Sequence, residues 1–314
     1  MRVAVTGATG LVGRFVVKEL SDRGCEVSAL ARSPERTQGF EECVGSIEWH
    51  YGDMADEDSL RSLLANCDGL IHAAFDHIPD RFRGGEGNDP TRFWERNHGG
   101  TIRCIEIARH AAVERVVLFS SRAVFDGLKF VDAELHDDVR PRPNTHYGLL
   151  KYTNEQLASL YDDTVICSLR PTGIYGLTWP CERTKWWSLL ANHFSGHGNS
   201  SLDSSSRTEV HGGDVACAAF ILLQASEASV RGRAFNCSDI VVSDQWLVEL
   251  VRRILQDGAS LYPDNLPSPP TPQNTMDCSR LRSLGWNPGG FHRLWKTLIE
   301  IVDRAGLSDV YKSG

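Results

Sequence analysis

The chain has 314 residues, 41% hydrophobic and 24% charged, with a formal net charge of −8. That length supports a large core, as one large domain or one domain with a smaller partner. The acidic balance, without any block of Lys and Arg, argues against nucleic-acid or anionic-membrane partners, and no apolar run reaches the roughly 18–20 residues of a membrane span.

In chain order, the first half alternates short apolar runs with longer amphipathic stretches. Arg2–Thr6 predicts a buried strand, followed by a glycine turn and a helix from about Leu11 to Arg23. Glu26–Ala31, Ile47–Tyr51, Gly69–His72, Arg115–Ser120 and Thr164–Leu169 predict five more strands. Between them, Asp58–Asn66 and Thr101–Ala112 carry apolar residues at helical spacing. The alternation implies α/β architecture: a Rossmann doubly wound parallel sheet, helices on both faces and right-handed crossovers. Ligands of such sheets bind beyond the C-terminal strand ends, where every motif below falls.

After about Arg170 the texture changes to prolines, tryptophans, a Ser-rich stretch at 199–206 and a Pro-rich loop at 263–272. Helical patterns return at Val215–Ala225, Gln245–Leu255 and Phe291–Asp303. We therefore expect a nucleotide-binding domain over 1–170 and a smaller C-terminal α/β substrate-binding region over 171–314, with about 209–235 returning to the first domain. The Ser-rich stretch reads as a surface loop or as a lid over the substrate. The nine cysteines stand singly, without a CxxC pair, which predicts reduced thiols and neither a disulfide framework nor a metal site. With the first strand starting at Arg2, no leader segment is expected and the predicted location is cytoplasmic.

The run Gly7-Ala8-Thr9-Gly10-Leu11-Val12-Gly13 follows the first strand and opens a helix. The first glycine permits the tight turn, the second lets the backbone approach a pyrophosphate, and the third lets helix and strand pack closely. Unpaired N–H groups and the positive end of the helix dipole then meet the phosphates. Cofactor choice is set at the end of the second strand, where an acid would hold the ribose hydroxyls of NAD and repel a 2′-phosphate. Here Arg32 stands instead, with Arg36 nearby, so NADP(H) is expected over NAD(H). Further along the cofactor path are Asp53 with Met54 beside it, Asp53 being either an adenine contact or a turn residue. His72, Ala73 and Ala74 end the fourth strand, where small residues let the adenosine and ribose lie close.

Tyr147 and Lys151 are four apart, on one helix face. A phenol of pKa ~10 is a poor acid–base at neutral pH. A nearby ammonium is expected to lower it, and the same lysine can hold the nicotinamide ribose. Ser121, at the end of the fifth strand with Arg122 next to it, can hydrogen-bond a substrate carbonyl or alcohol.

Taken with Asn97–Thr101 (NHGGT), Phe119–Gly127 (FSSRAVFDG), Leu169–Gly176 (LRPTGIYG), Arg207–Asp214 (RTEVHGGD) and the closing Leu284–Pro288 (LGWNP), these motifs run nearly the whole chain. The sequence resembles the extended short-chain dehydrogenase/reductases, the NAD(P)-dependent epimerase/dehydratase group. The resemblance implies a Rossmann domain of about seven parallel strands with a small C-terminal substrate region. It implies catalytic roles for Ser121, Tyr147 and Lys151, a water-mediated proton relay involving Asn97, and a nicotinamide pocket lined by Arg170 and Pro171. It gives Arg207 a substrate phosphate, as in nucleotide-sugar members, unless Arg207 makes a salt bridge instead. It also implies a homodimer through helices near 91–112 and 145–161. Two departures stand out. Arg122-Ala123 replaces the acidic pair that follows the catalytic Thr in dehydratases, which removes dehydration, and Phe125-Asp126 replaces the usual Tyr-Gly.

The leading expectation is hydride transfer, NADP(H)-dependent, to or from a carbonyl or hydroxyl carbon of a small or sugar-like substrate. The alternative is a sugar or nucleotide-sugar epimerase with retained cofactor. A non-catalytic NADP sensor comes third, against the intact Ser121/Tyr147/Lys151 set.

Overall fold

The computed structural model describes residues 1–78, 81, 83–128, 134–195, 202–257, 267–271 and 275–308. β1 (Arg2–Thr6), α1 (Leu11–Asp22), β2 (Glu26–Ala31), β3 (Ile47–Tyr51), α2 (Glu57–Leu64) and β4 (Gly69–His72) follow in order. Next come α3 (Pro90–Trp94), a π turn at Glu95–Gly99, α4 (Gly100–His110), β5 (Arg115–Phe119), α5 (His146–Gln156) and β6 (Val165–Pro171). The second half adds β7 (Gly173–Tyr175), α6 (Trp187–Phe194), β8 (Arg207–His211), α7 (Gly212–Gln224), α8 (Glu227–Val230), β9 (Ala234–Cys237) and β10 (Ile240–Val242). It ends with α9 (Asp244–Asp257), α10 (Ser279–Ser283) and α11 (Gly290–Arg304).

Seven strands form one sheet in the order β3-β2-β1-β4-β5-β6-β9, each neighbouring pair parallel. Successive side chains alternate between its faces. Val3, Val5, Val117 and Cys167 join α1 and α7 in one core, while Ala4, Leu70, Val116 and Ile166 join α2 and α4 in the other. Both faces are thus covered, as a parallel sheet requires. Residues 212–237 belong to this layer, because α7 packs into the first core and β9 extends the sheet past β6.

A third core forms around Trp186, Leu190, Trp246, Leu250, Trp295 and Leu298, while Leu281 of α10 and Trp286 pack into the first. The third core lies beside a small sheet ordered β10-β8-β7. Neither this sheet nor β9 was legible from apolar runs. β7 and β10 have three residues each, and β8 reads Arg-Thr-Glu-Val-His with Glu209 buried. A run of three residues is too short to carry a pattern, and a buried, partnered Glu209 hides β8 from hydrophobic patterning. Of the two loops singled out in the sequence, 199–201 of the Ser-rich stretch and 263–266 and 272 of the Pro-rich one lie outside the described residues.

A buried ion pair ties α5 to the sheet. Arg170 of β6 donates from Nε and Nη2 to the two carboxylate oxygens of Glu155, at 2.8 and 2.7 Å, with side chains only 5% and 4% exposed. Arg170 Nη1 donates to the Asp137 carbonyl, and Ser120 Oγ donates to Glu155 Oε1. Removing one member strands a buried charge, whereas replacing both by apolar groups removes the problem. We expect Arg170→Met to cost about 3–5 kcal/mol in urea unfolding, and Arg170→Met/Glu155→Met to recover most of that loss. Equal losses for the single and double variants would contradict the pair's role.

Candidate active site

The glycine turn places an open helix end at the C-terminal edge of β1. Gly10 caps α1 without a side-chain hydrogen bond, and no acidic residue occupies the first turn, so the N–H groups there remain open to an anion. Gly7 has φ +71°, and a Cβ on it would lie 2.6 Å from the Ala74 nitrogen. Its bare backbone brings the turn against the Ala73-Ala74 end of β4. Gly10 is exposed, Thr9, Leu11 and Val12 are half-buried along the rim, and Gly13 is buried behind them. An uncapped helix end, a small-residue floor and no competing carboxylate fit a dinucleotide pyrophosphate.

At the neighbouring strand ends lies a chain of alternating charge. Arg32, 60% exposed at its side chain, is 4.0 Å from Asp76. Arg96 is 3.0 Å from Asp76 and 3.6 Å from Asp53. Asp53 also accepts the Ala55 N–H at 2.7 Å, closing its turn, while Met54 is buried beneath Gly100. Arg36 is exposed and its carbonyl accepts from Arg14, which also holds the Gln38 carbonyl at 2.7 Å. The sequence reading missed Arg96 and Arg14. Arg14 directly follows Gly13, a position that could have flagged it.

His72 is a buried connector. Nδ1 lies 2.8 Å from Thr6 Oγ1 and Nε2 3.1 Å from Thr101 Oγ1. Thr101 donates to the Asn97 carbonyl at 2.7 Å, so it accepts from His72, and the ring is neutral with its proton on Nε2. Burial lowers its pKa to about 3, with the charge of Lys151 adding. β1, β4 and α4 are joined through this one ring.

Tyr147 lies in the first turn of α5, whose N-cap Thr145 accepts the Gly148 N–H at 3.1 Å. A Cβ on Gly148 would sit 2.4 Å from the Ala123 carbonyl. The glycine lets α5 press against the single 3-10 turn at Arg122–Phe125 that Ser121 caps. Tyr147 and Ser121 are thereby hydrogen-bonded. Lys151, one turn on, is buried and donates to the Phe119 carbonyl at 2.7 Å. Phe75 covers it, with Lys151 Nζ 4.6 Å from that ring's centre and 5.8 Å from Tyr147's. Phase-setting aromatics of this kind carry no motif, so Phe75 was not foreseen.

The electrostatics correct one expectation. Burial pushes the Tyr147 phenol above its ordinary value, with Ser121 and then the charge of Arg83 pulling the other way. Lys151 was expected to depress the phenol, but its own burial lowers its pKa to about 8, against the opposing pull of Glu155. Without a bound cation the phenol keeps its proton at neutral pH, and the ammonium titrates close to it.

Asn97 sits in the π turn, fully occupied by backbone. Its Oδ1 accepts from the Asp76 N–H at 2.7 Å, and its Nδ2 donates to the carbonyls of Asp76 and Phe93. It fixes the segment after β4 under the site. A small polar cavity behind Lys151, with room for about one water, is lined by Asn97, Thr101, Asn154, Glu155 and Ser168. Pro171 is buried at the end of β6.

Arg122 lies beside Ser121, half-buried, 3.4 Å from Asp126. Arg83, from the chain between β4 and α3, also pairs with Asp126 at 2.6 Å. The Asp126 that replaces the usual glycine is therefore a charge anchor for two arginines. Arg207, in the small sheet, pairs with Asp244 and lies 3.4 Å from Glu209. Lys185 also bonds Glu209, at 2.6 and 2.5 Å. Among the described residues there is no cluster of three or more His, Cys, Asp or Glu placed to hold a metal ion, and no helix is long and apolar enough to cross a membrane.

Comparison with known proteins adds the family. The chain is 31% identical over 152 residues to a UDP-glucose 4-epimerase of Streptomyces lividans, covering 47% of this chain and 43% of that protein. It is 28% identical over 204 residues to a 3 beta-hydroxysteroid dehydrogenase/Delta 5→4-isomerase of Mycobacterium tuberculosis, covering 62% and 52%. The chain thus spans about half the length of these curated relatives. Over 97% of its length it superposes on MoeE5, solved in complex with UDP-glucose and NAD, with a TM-score of 0.71, 27% identity and 99% of that chain covered. The model of the NAD dependent epimerase/dehydratase family matches residues 3–238, three quarters of the sequence, and the chain belongs to that family.

Proposed function

We propose that this protein is an NADP(H)-dependent oxidoreductase acting on a carbonyl or hydroxyl carbon of a small substrate. The observation that carries the reading is the convergence of Tyr147 with Ser121 and with the buried Lys151 one helical turn away, its Nζ 5.8 Å from the Tyr147 ring centre. The bound dinucleotide supplies or takes up the hydride. Its pyrophosphate would lie on the open end of α1 and its 2′-phosphate against Arg32, with Arg36 in reach. Asp53 and Met54 would border the adenine, and His72, Ala73 and Ala74 would floor the adenosine. Pro171 would back the nicotinamide.

In the reductive direction Tyr147 gives its phenolic proton to the carbonyl oxygen as that oxygen becomes an alcohol. Ser121 donates a hydrogen bond to the same oxygen, holding the carbonyl in line. Lys151, titrating near 8, would hold the nicotinamide ribose and pass a proton towards the phenolate from the cavity bounded by Asn97. The raised phenol suits reduction, because a proton donor must enter the step protonated.

The second reading, a nucleotide-sugar epimerase, is favoured by the UDP-glucose named for MoeE5. The charges at Arg207 weigh against it. Arg207 and Lys185 face the carboxylates of Glu209 and Asp244, leaving no net positive charge for a diphosphate. Dinucleotide released by denaturing the purified protein would favour epimerisation, whereas freely exchanging cofactor favours the oxidoreductase. We further propose a homodimer through the outer faces of α4 and α5, where Leu149 is 45% exposed, and a cytoplasmic location, consistent with nine free cysteines.

Tyr147→Phe is expected to lower kcat at least a thousandfold while leaving NADPH affinity within about threefold; substantial residual turnover would remove Tyr147 from the proton step. Arg32→Ala should weaken NADPH by at least tenfold more than NADH in fluorescence titrations, and equal losses would contradict a 2′-phosphate contact. Lys151 predicts a trade of stability for function. Its folded pKa of about 8, below the ordinary 10.5, means the unfolded chain binds more protons between those values. Wild-type stability therefore gains from pH 8 up to about 10.5. Below pH 8 the buried charge costs on the order of 3 kcal/mol. Lys151→Met should abolish turnover and raise the melting temperature of the cofactor-free protein at pH 7, by an amount that fades above pH 8.

A further inference from the structure

Beside Ser121, two arginines converge on one carboxylate. Arg83 Nε donates to Asp126 Oδ2 at 2.6 Å and its Nη2 lies at the same distance from that oxygen. Arg122 Nη1 reaches only Oδ1, at a long 3.4 Å. Asp126 is 13% exposed at its side chain and Arg122 22%. Among the described residues, the buried Arg122 Nε has no hydrogen-bond partner. A guanidinium carries five donors, and the long contact with Asp126 uses only one of those of Arg122. Three charged groups thus leave one net positive charge, with spare donors, next to the hydroxyl that holds the reacting oxygen.

The cluster is part of the reacting centre's surroundings. Arg122 follows Ser121 in the chain, and the charge of Arg83 is felt at the Tyr147 phenol, against that of Asp126. Asn144 donates to the Asp126 carbonyl at 3.1 Å, so the anchor is braced by the segment leading into α5. A planar fork of this kind recognises a carboxylate through paired N–H donors. Asp126 then spaces the two guanidinium groups and keeps them apart without neutralising both.

We propose that the substrate carries a carboxylate on or next to the reacting carbonyl, recognised by Arg83 and Arg122 with Asp126 holding them in place. The inference rests on the oxidoreductase reading and names the substrate class for it. A purely structural role for the same cluster, fastening Arg83 to the turn after Ser121, predicts no such preference.

The test uses the full chain with NADPH. Benzoylformate is compared with benzoylformamide as substrates, and benzoate with benzamide as dead-end ligands of the NADP⁺ complex, followed by fluorescence. The expected wild-type result is at least a tenfold preference for the carboxylate in both comparisons. Arg122→Gln and Arg83→Gln should each reduce that ratio at least tenfold, while the variants stay folded and keep their NADPH affinity. Arg122→Lys should restore part of it. Turnover of both substrates without preference, or a ratio that survives both substitutions, overturns the proposal while leaving the oxidoreductase reading in place. If neither compound is turned over yet benzoate binds at least tenfold tighter than benzamide and the Gln variants abolish this, the carboxylate site stands and the redox reading fails.

Discussion

The joint between α5 and the parallel sheet decides where the chemistry can occur. α5 carries Tyr147 and Lys151 on one face, and it is held by the Glu155–Arg170 pair, fully buried and bonded at both oxygens. Ser120 adds a third donor to that carboxylate, so the end of β5 is tied to the same point. Because Ser121 follows Ser120, the pair that locks the helix also locks the hydroxyl facing the phenol. Gly148 completes the joint by letting the helix press against the turn after Ser121. A slip of α5 by a fraction of an ångström would separate three groups whose value lies in their mutual distance.

Burial around this joint sets the proton affinities. Lys151 is dry beneath Phe75 and bonded to the Phe119 carbonyl, which brings an ammonium down to about 8. The same dryness raises the phenol of Tyr147. One desolvated setting therefore poises an acid to stay protonated and a base to exchange near neutrality, the arrangement a reducing step at a carbonyl requires. The fold carries that cost elsewhere, in three apolar cores packed on both faces of the sheet and under the C-terminal helices.

Much of the sheet was legible because parallel strands covered on both faces must be apolar. Val3–Val5, Leu70–Ile71 and Val116–Phe119 show it directly. The glycine turn and the Tyr147/Lys151 spacing were legible because their chemistry fixes residue type at fixed intervals. Much of what escaped is polar and paired across the chain. β8 hides Glu209 behind Lys185 and Arg207, and Glu155 and Arg170 meet only when β6 lies next to α5. Asp126 stands out as a departure without a reason in the sequence, since its partner Arg83 lies 43 residues earlier. The effect of Lys151 on Tyr147 was misjudged because proximity is visible in a sequence and desolvation is not.

The most direct test of the central claim follows the reacting hydrogen. The protein is given NADPH carrying deuterium at the transferable position together with a panel of carbonyl compounds, and products are analysed by mass spectrometry. The account predicts that NADP⁺ and a deuterium-bearing alcohol appear in equal amounts, and that Tyr147→Phe suppresses both. Tight NADPH binding with no deuterium in any product, or with label returned to the cofactor on an epimerised sugar, would contradict it.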